Sequence, residues 1–170
     1  MRAYHTKKQI NPTATALLTY CVGAAFLLSS NLCFANLIVI TGNNIINKPT
    51  TYKNDVLDMT NGRFTIKNGG SLEIENSIIN STISSANPYL ANLTDGSVSL
   101  KNNTVNVSVD GITPNANSKP AYHLIEIQRG LVDISNNSFL ASTAFTLGFL
   151  ETQEFKTNGI NISKNKIKNF

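Results

Sequence analysis

Cysteine is scarce in this sequence, and both copies, Cys21 and Cys33, fall within the first 35 residues. Beyond that point no disulfide can staple the chain, and no thiolate is present for nucleophilic or zinc chemistry. Histidine is as rare, with His123 the sole one after residue 35. A cationic surplus is missing too. The whole chain carries 14 Lys and Arg against 10 Asp and Glu. Arg2, Lys7 and Lys8 account for three of the bases, which leaves 11 against 10 beyond residue 35. With no basic stripe there is no electrostatic footprint for nucleic acid, and none is expected as a partner.

Long hydrophobic runs are equally sparse. The one from Ala16 to Leu28 is shorter than the about 20 apolar residues that a membrane-spanning helix needs. Its basic start, short greasy middle and Cys33-Phe34-Ala35 ending are those of a secretory signal peptide. Residues 1–35 are therefore read as a leader cut after Ala35, and 36–170 as the mature domain. Tyr20 and Leu32, which precede the two cysteines, are too large for a lipoprotein signal. The residues alternating back from Phe170 are Lys168, Lys166 and Lys164, which do not make a lipid-facing barrel strand. No stable membrane anchor is expected after cleavage, and the product is expected to be secreted, periplasmic or on the cell surface.

What the sequence does contain is a repeat. GSLEIENSII from Gly70 returns as GSVSLKNNTV from Gly96, GLVDISNNSF from Gly130 and NGINISKNKI from Asn158, with an earlier copy, NLIVITGNNI, from Asn36. Apolar residues alternate with polar ones, the mark of a half-buried strand, and an Asn-rich pair supplies turn chemistry. The starts at 36, 70, 96, 130 and 158 lie 34, 26, 34 and 28 residues apart, the length of one structural repeat. Each unit offers a strand before the glycine, one after it and one after the Asn pair.

Three strands per unit, stacked in register, predict three inward columns. One runs Ile38, Leu72, Val98, Val132 and Ile160, the next Ile40, Ile74, Leu100, Ile134 and Ile162. The third runs Ile45, Ile79, Val105, Phe139 and Ile167. Asn43, Asn103, Asn137 and Asn165, with Ser77, would form an amide ladder at one turn. Lys48–Thr60 and Thr113–Pro120 read as surface excursions. A β-sandwich is the rival layout, but it needs clearer two-residue hairpin turns.

On the apolar-x-apolar-x-Asn-Asn-x-apolar pattern, residues 36–170 resemble the right-handed parallel β-helix proteins of the pectate-lyase-like group. That resemblance implies an all-β, right-handed parallel β-helix of about five short coils. Lyases of that group use clustered Asp and Glu for calcium with an Arg base, and alginate epimerases carry an Asp-Pro-His signature. Neither is found in this sequence, nor is the glycine-aspartate nonapeptide that binds calcium. No metal and no cofactor are expected.

Binding chemistry is expected on the outward positions. Val39, Glu73, Ser99, Asp133 and Asn161 form one row, and Thr41, Glu75, Lys101, Ser135 and Ser163 the next. Glu73 and Asp133, two strands apart, would lie roughly 9–10 Å from each other, the separation of an inverting carboxylate pair. Scattered charges on a solvated face are the plainer account, with Glu75 and Lys101 as an exposed ion pair. His123 and Arg129 could serve proton abstraction from a uronic acid. Tyr52, Tyr89 and Tyr122 could stack on sugars or pack against the core. Glu73, Lys101, Asp133, Arg129 and His123 are thus the candidate ligand-binding residues, and no catalytic residue is assigned.

The function read from these features is non-enzymatic: a polar β-helix face presented to polysaccharide or to another protein, as in adhesins and autotransporter passengers. The alternatives are a carbohydrate-active enzyme of lyase or epimerase type, or a piece of a longer β-helix protein. Bare end strands would invite more strands to add, so end-to-end self-association is also expected.

Overall fold

The computed structural model describes residues 36–111, 122–142, 147–152 and 159–169. The expected leader and the Thr113–Pro120 excursion lie outside those residues. The described part is all β. In chain order the strands are β1 (Leu37–Ile46), β2 (Pro49–Lys53), β3 (Val56–Ile66), β4 (Gly70–Glu75) and β5 (Ile78–Ile83). Then come β6 (Ala91–Leu93), β7 (Gly96–Lys101), β8 (Thr104–Val109), β9 (Tyr122–Ile127) and β10 (Leu131–Ser135). The last are β11 (Ser138–Ala141), β12 (Leu147–Thr152), β13 (Gly159–Ser163) and β14 (Lys166–Lys168).

These strands form two sheets, paired in parallel throughout. A five-stranded sheet runs β13-β10-β7-β4-β2, and a nine-stranded one holds the rest; one of the two is curled into a half-barrel. Every strand pairs with its counterpart in the next repeat, never with its sequence neighbour. β3 joins the two arms of the larger sheet. Its Val56–Met59 half pairs with β5 and its Phe64–Ile66 half with β6, while β1 runs beside both halves. From β3 one arm continues β5-β8-β11-β14 and the other β6-β9-β12.

The registers stack like on like. Leu72, Val98, Val132 and Ile160 are successive partners, as are Ile74, Leu100, Ile134 and Ile162. Ile79, Val105, Phe139 and Ile167 do the same in the larger sheet. Through Phe139 these side chains are almost wholly buried, in one core with Leu57, Met59, Phe64 and Ile66. A strand buried on its inner face gains about 1.5–3 kcal/mol for each large apolar side chain so placed, which is why this alternation fixes register. On β13 and β14, Ile160, Ile162 and Ile167 are exposed.

The Asn-rich pair divides two tasks between its members. The first residue takes the left-handed backbone conformation: Asn54, Asn76, Asn102, Asn136 and Lys164 have φ between 52° and 57°. Asparagine tolerates this region better than other non-glycine residues, because its short side chain bonds locally. The second member turns inward and links to the next repeat. Asn137 Oδ1 accepts from the Asn103 N–H at 2.8 Å and its Nδ2 at 3.0 Å, and Asn165 Oδ1 accepts from Asn137 in the same way. Asn103 Oδ1 accepts from the Ser77 N–H at 2.9 Å, and Ser77 Oγ accepts from the Asp55 N–H at 3.1 Å.

The first repeat departs from expectation. Asn43 lies on β1, exposed, with its Oδ1 accepting from Thr65 Oγ1 at 2.8 Å, and Asp55 holds the ladder position instead. Ile38 pairs with Leu57 rather than standing over Leu72. Ile45, expected inward, is 50% exposed, whereas Ile46 is buried beside Ile66. Lys48–Thr60, read as an excursion, forms β2 and the start of β3. The strand that stacks on β4 is PTTYK, with Thr50 on Leu72 and Tyr52 on Ile74. A threonine and a tyrosine at the inward positions hide the alternation, and the greasier β1 mimics it.

Gly70 and Gly96 open β4 and β7, and Gly130 immediately precedes β10, where backbones approach closely. A Cβ on Gly96, whose φ is +144°, would overlap the Gly70 carbonyl oxygen. Gly96→Ala is therefore expected to cost at least about 1–3 kcal/mol, the range for one strained backbone position. Chemical denaturation against wild type checks this, and an unchanged midpoint would contradict the close approach.

Candidate functional site

The five-stranded sheet carries its side chains alternately inward and outward, so β4, β7, β10 and β13 align their polar residues in rows. Glu73, Ser99, Asp133 and Asn161 are register partners, and so are Glu75, Lys101, Ser135 and Ser163. Thr51 and Lys53 of β2 begin these rows where Val39 and Thr41 were expected.

Charges on this face are tied pairwise. Lys53 Nζ lies 2.9 Å from Glu75 and 3.8 Å from Glu73. Lys101 Nζ is 2.9 Å from Asp133, whose other oxygen accepts from Asn161 Nδ2 at 2.9 Å. The expected Glu75–Lys101 pair is therefore replaced: each lysine turns to a different carboxylate. Both ammonium groups are held above the ordinary lysine range, Lys53 first by its bond to Glu75 and Lys101 first by its bond to Asp133. All four side chains of the closest pairs keep a quarter or more of their surface in water, so each pair contributes little to stability.

Beside the Lys101–Asp133 pair is a shallow hollow of about 470 Å³, lined by Ser97, Ser99, Leu131, Gly159, Ile160 and Asn161 together with the pair. Its floor is apolar and its rim offers an ammonium, a carboxylate, an amide and hydroxyls. Glu73 and Asp133 are separated by Ser99; Asp133 is paired with Lys101, whereas Glu73 shares Lys53 with the closer Glu75.

His123 and Arg129, paired by sequence reasoning, enter different contacts. His123 Nδ1 is 3.0 Å from Glu151 Oε2, whereas Arg129, past the end of β9, reaches Asp95 at 3.3 Å. The tyrosines pack rather than stand free. Tyr52 lies 5.9 Å from Phe64 between ring centres, Tyr89 receives the Arg63 guanidinium at 5.6 Å, and Tyr122 lies partly buried on the core. Burial, then the Asp55 charge, pushes the Tyr52 hydroxyl up.

Among the described residues no helix is long and apolar enough to cross a membrane. No protein-family model, curated protein or solved structure matches this chain.

Proposed function

We propose that the chain is an exported, right-handed parallel β-helix of the pectate-lyase-like kind that binds polysaccharide along the outer face of its five-stranded sheet. The domain is 36–170, released from the leader 1–35. Three strand positions per repeat, parallel registers and the inward Asn column support the β-helix. Right-handed winding follows the usual hand of parallel crossovers.

The observation that carries the binding reading is the pair of polar rows flanking the Lys101–Asp133 hollow. Successive strands lie about 4.8 Å apart, so hydroxyl, amide and charged groups recur at intervals that a repeating sugar chain can follow. Saccharides are bound by such mixed donors and acceptors set around an apolar floor. Lys101 would meet uronate or sulfate groups, and Asp133 and Asn161 would meet hydroxyls.

A glycan array probed with the mature protein tests this. Binding to acidic polysaccharides is expected, weakened about tenfold or more in Lys101→Ala with the unfolding midpoint unchanged, as for loss of a charged hydrogen bond. Binding as tight as wild type in both Lys101→Ala and Asp133→Ala would remove the face from consideration. Release of ultraviolet-absorbing unsaturated products from pectate, alginate or hyaluronan would replace binding with lyase chemistry.

A further inference from the structure

Away from that face, on the β6-β9-β12 arm, register sets three polar residues side by side. Asn92 pairs with Glu126, and Glu126 with Glu151. Like charges on directly opposite residues destabilise a sheet. Nothing in the alternation of a strand requires them there. Burial, then the Glu151 charge, pushes the Glu126 carboxyl up, against the opposing pull of His123 and the Asn92 bond. His123 completes the group: a ring nitrogen of His123 and one oxygen each of Glu126 and Glu151 all lie within 4.8 Å of one another.

Two further features show that hydrogen bonding within the chain does not satisfy this group. Asn92 is more than nine-tenths buried. Its Nδ2 donates to Glu126 Oε2 at 3.0 Å, yet Oδ1 of the same amide is buried with no hydrogen-bond partner. His123 Nδ1 is also buried and makes no hydrogen bond, although Glu151 Oε2 is only 3.0 Å away. An imidazole nitrogen and a carboxylate oxygen at that distance, out of hydrogen-bond alignment, match two ligands of one cation. Donors about 2.1 Å from an ion lie about 3.0 Å apart at a right angle and about 3.4 Å apart at the tetrahedral angle.

We propose that His123, Glu126 and Glu151 form a binding site for a divalent first-row transition-metal ion. One nitrogen and two carboxylate oxygens suit zinc and its neighbours, whereas magnesium and calcium prefer oxygen alone. The two carboxylates cancel the ion's charge, and the ion removes their mutual repulsion. Asn92 acts as a positioning residue, holding the Glu126 carboxylate from behind as outer partners of metal ligands do. Glu151, whose side chain is 43% exposed, leaves the outer side of the ion open to water or another ligand. The ion would clasp β9 to β12.

Calorimetric titration of the full chain with zinc chloride, beside calcium and magnesium chlorides, tests the site. One zinc is expected to bind that the His123→Ala/Glu151→Gln double variant does not bind. Each single change is expected to weaken zinc about tenfold or more, and Asn92→Ala about tenfold. Cobalt should give visible absorption bands that the double variant lacks. Both proteins keep His5, Cys21 and Cys33, so the difference between them reports this site alone. If the double variant does not fold, Glu151→Gln, at a half-exposed side chain, carries the comparison. Zinc binding equal in wild type and variant, or calcium binding as tight as zinc, would overturn the proposal.

Discussion

Replacing Asn137 with alanine is expected to destabilise the protein by about 3–5 kcal/mol, more than any outward substitution on the same strands. Asn137 is 2% exposed and serves two repeats at once. Its Oδ1 satisfies the Asn103 N–H, and its Nδ2 donates to the Leu100 carbonyl at 2.8 Å and contacts Ser135 O and Asn165 Oδ1 at 3.0 Å. Truncation orphans a buried donor and a buried acceptor, each worth about 1–3 kcal/mol, and leaves a void besides. Asn165→Ala should cost less, because that residue is only part-buried and its side chain serves a turn nearer the solvent. Urea denaturation with a constant slope measures both. A loss below about 1 kcal/mol for Asn137→Ala would mean that water replaces the amide and that the ladder does not hold the turn.

Replacing Ile134 with alanine is expected to cost about 2–5 kcal/mol, the range for emptying a packed core position. Ile134 is fully buried, with Leu100 on one side and Ile162 on the other. The stacked column has no other residue to close the gap, since each neighbour is fixed by its own strand register. The adjacent Asp133→Ala should stay within about 0.5 kcal/mol, because its ion pair is solvated. The pair of variants separates inward from outward on one strand. Equal losses at the two positions would mean that β10 does not present the faces described.

Much of this architecture was legible in the sequence because side-chain period and strand geometry are locked together. The copies from Gly70, Gly96, Gly130 and Asn158 state the same alternation, and the registers of β4, β7, β10 and β13 follow it residue for residue. The Asn-rich pair was readable as a turn, since a left-handed residue followed by an inward amide is chemistry that few other residues supply. The first repeat was not readable. β1 has the composition of a core strand yet pairs beside β3 with Leu37, Val39 and Ile45 exposed, while PTTYK takes the matching place through packing that composition does not announce. Composition reports how greasy a segment is, not which neighbour covers it.

The ion pairs and the polar cluster lay further beyond reach. Lys53 reaches Glu75 only because β2 lies beside β4, and that follows from the misread first repeat. His123, Glu126 and Glu151 have no motif spacing, since Glu151 arrives through a strand one repeat later. The sequence by itself determined the strand period, the parallel stacking and the inward columns of the middle repeats, because local alternation must match a buried face where a neighbour covers it. Ile45 of the first repeat and Ile160, Ile162 and Ile167 of the last, expected inward, are exposed. Tertiary structure alone decided which polar groups meet. Contacts across parallel strands depend on the length of chain between repeats, and that length shifts partners without changing the pattern of either strand.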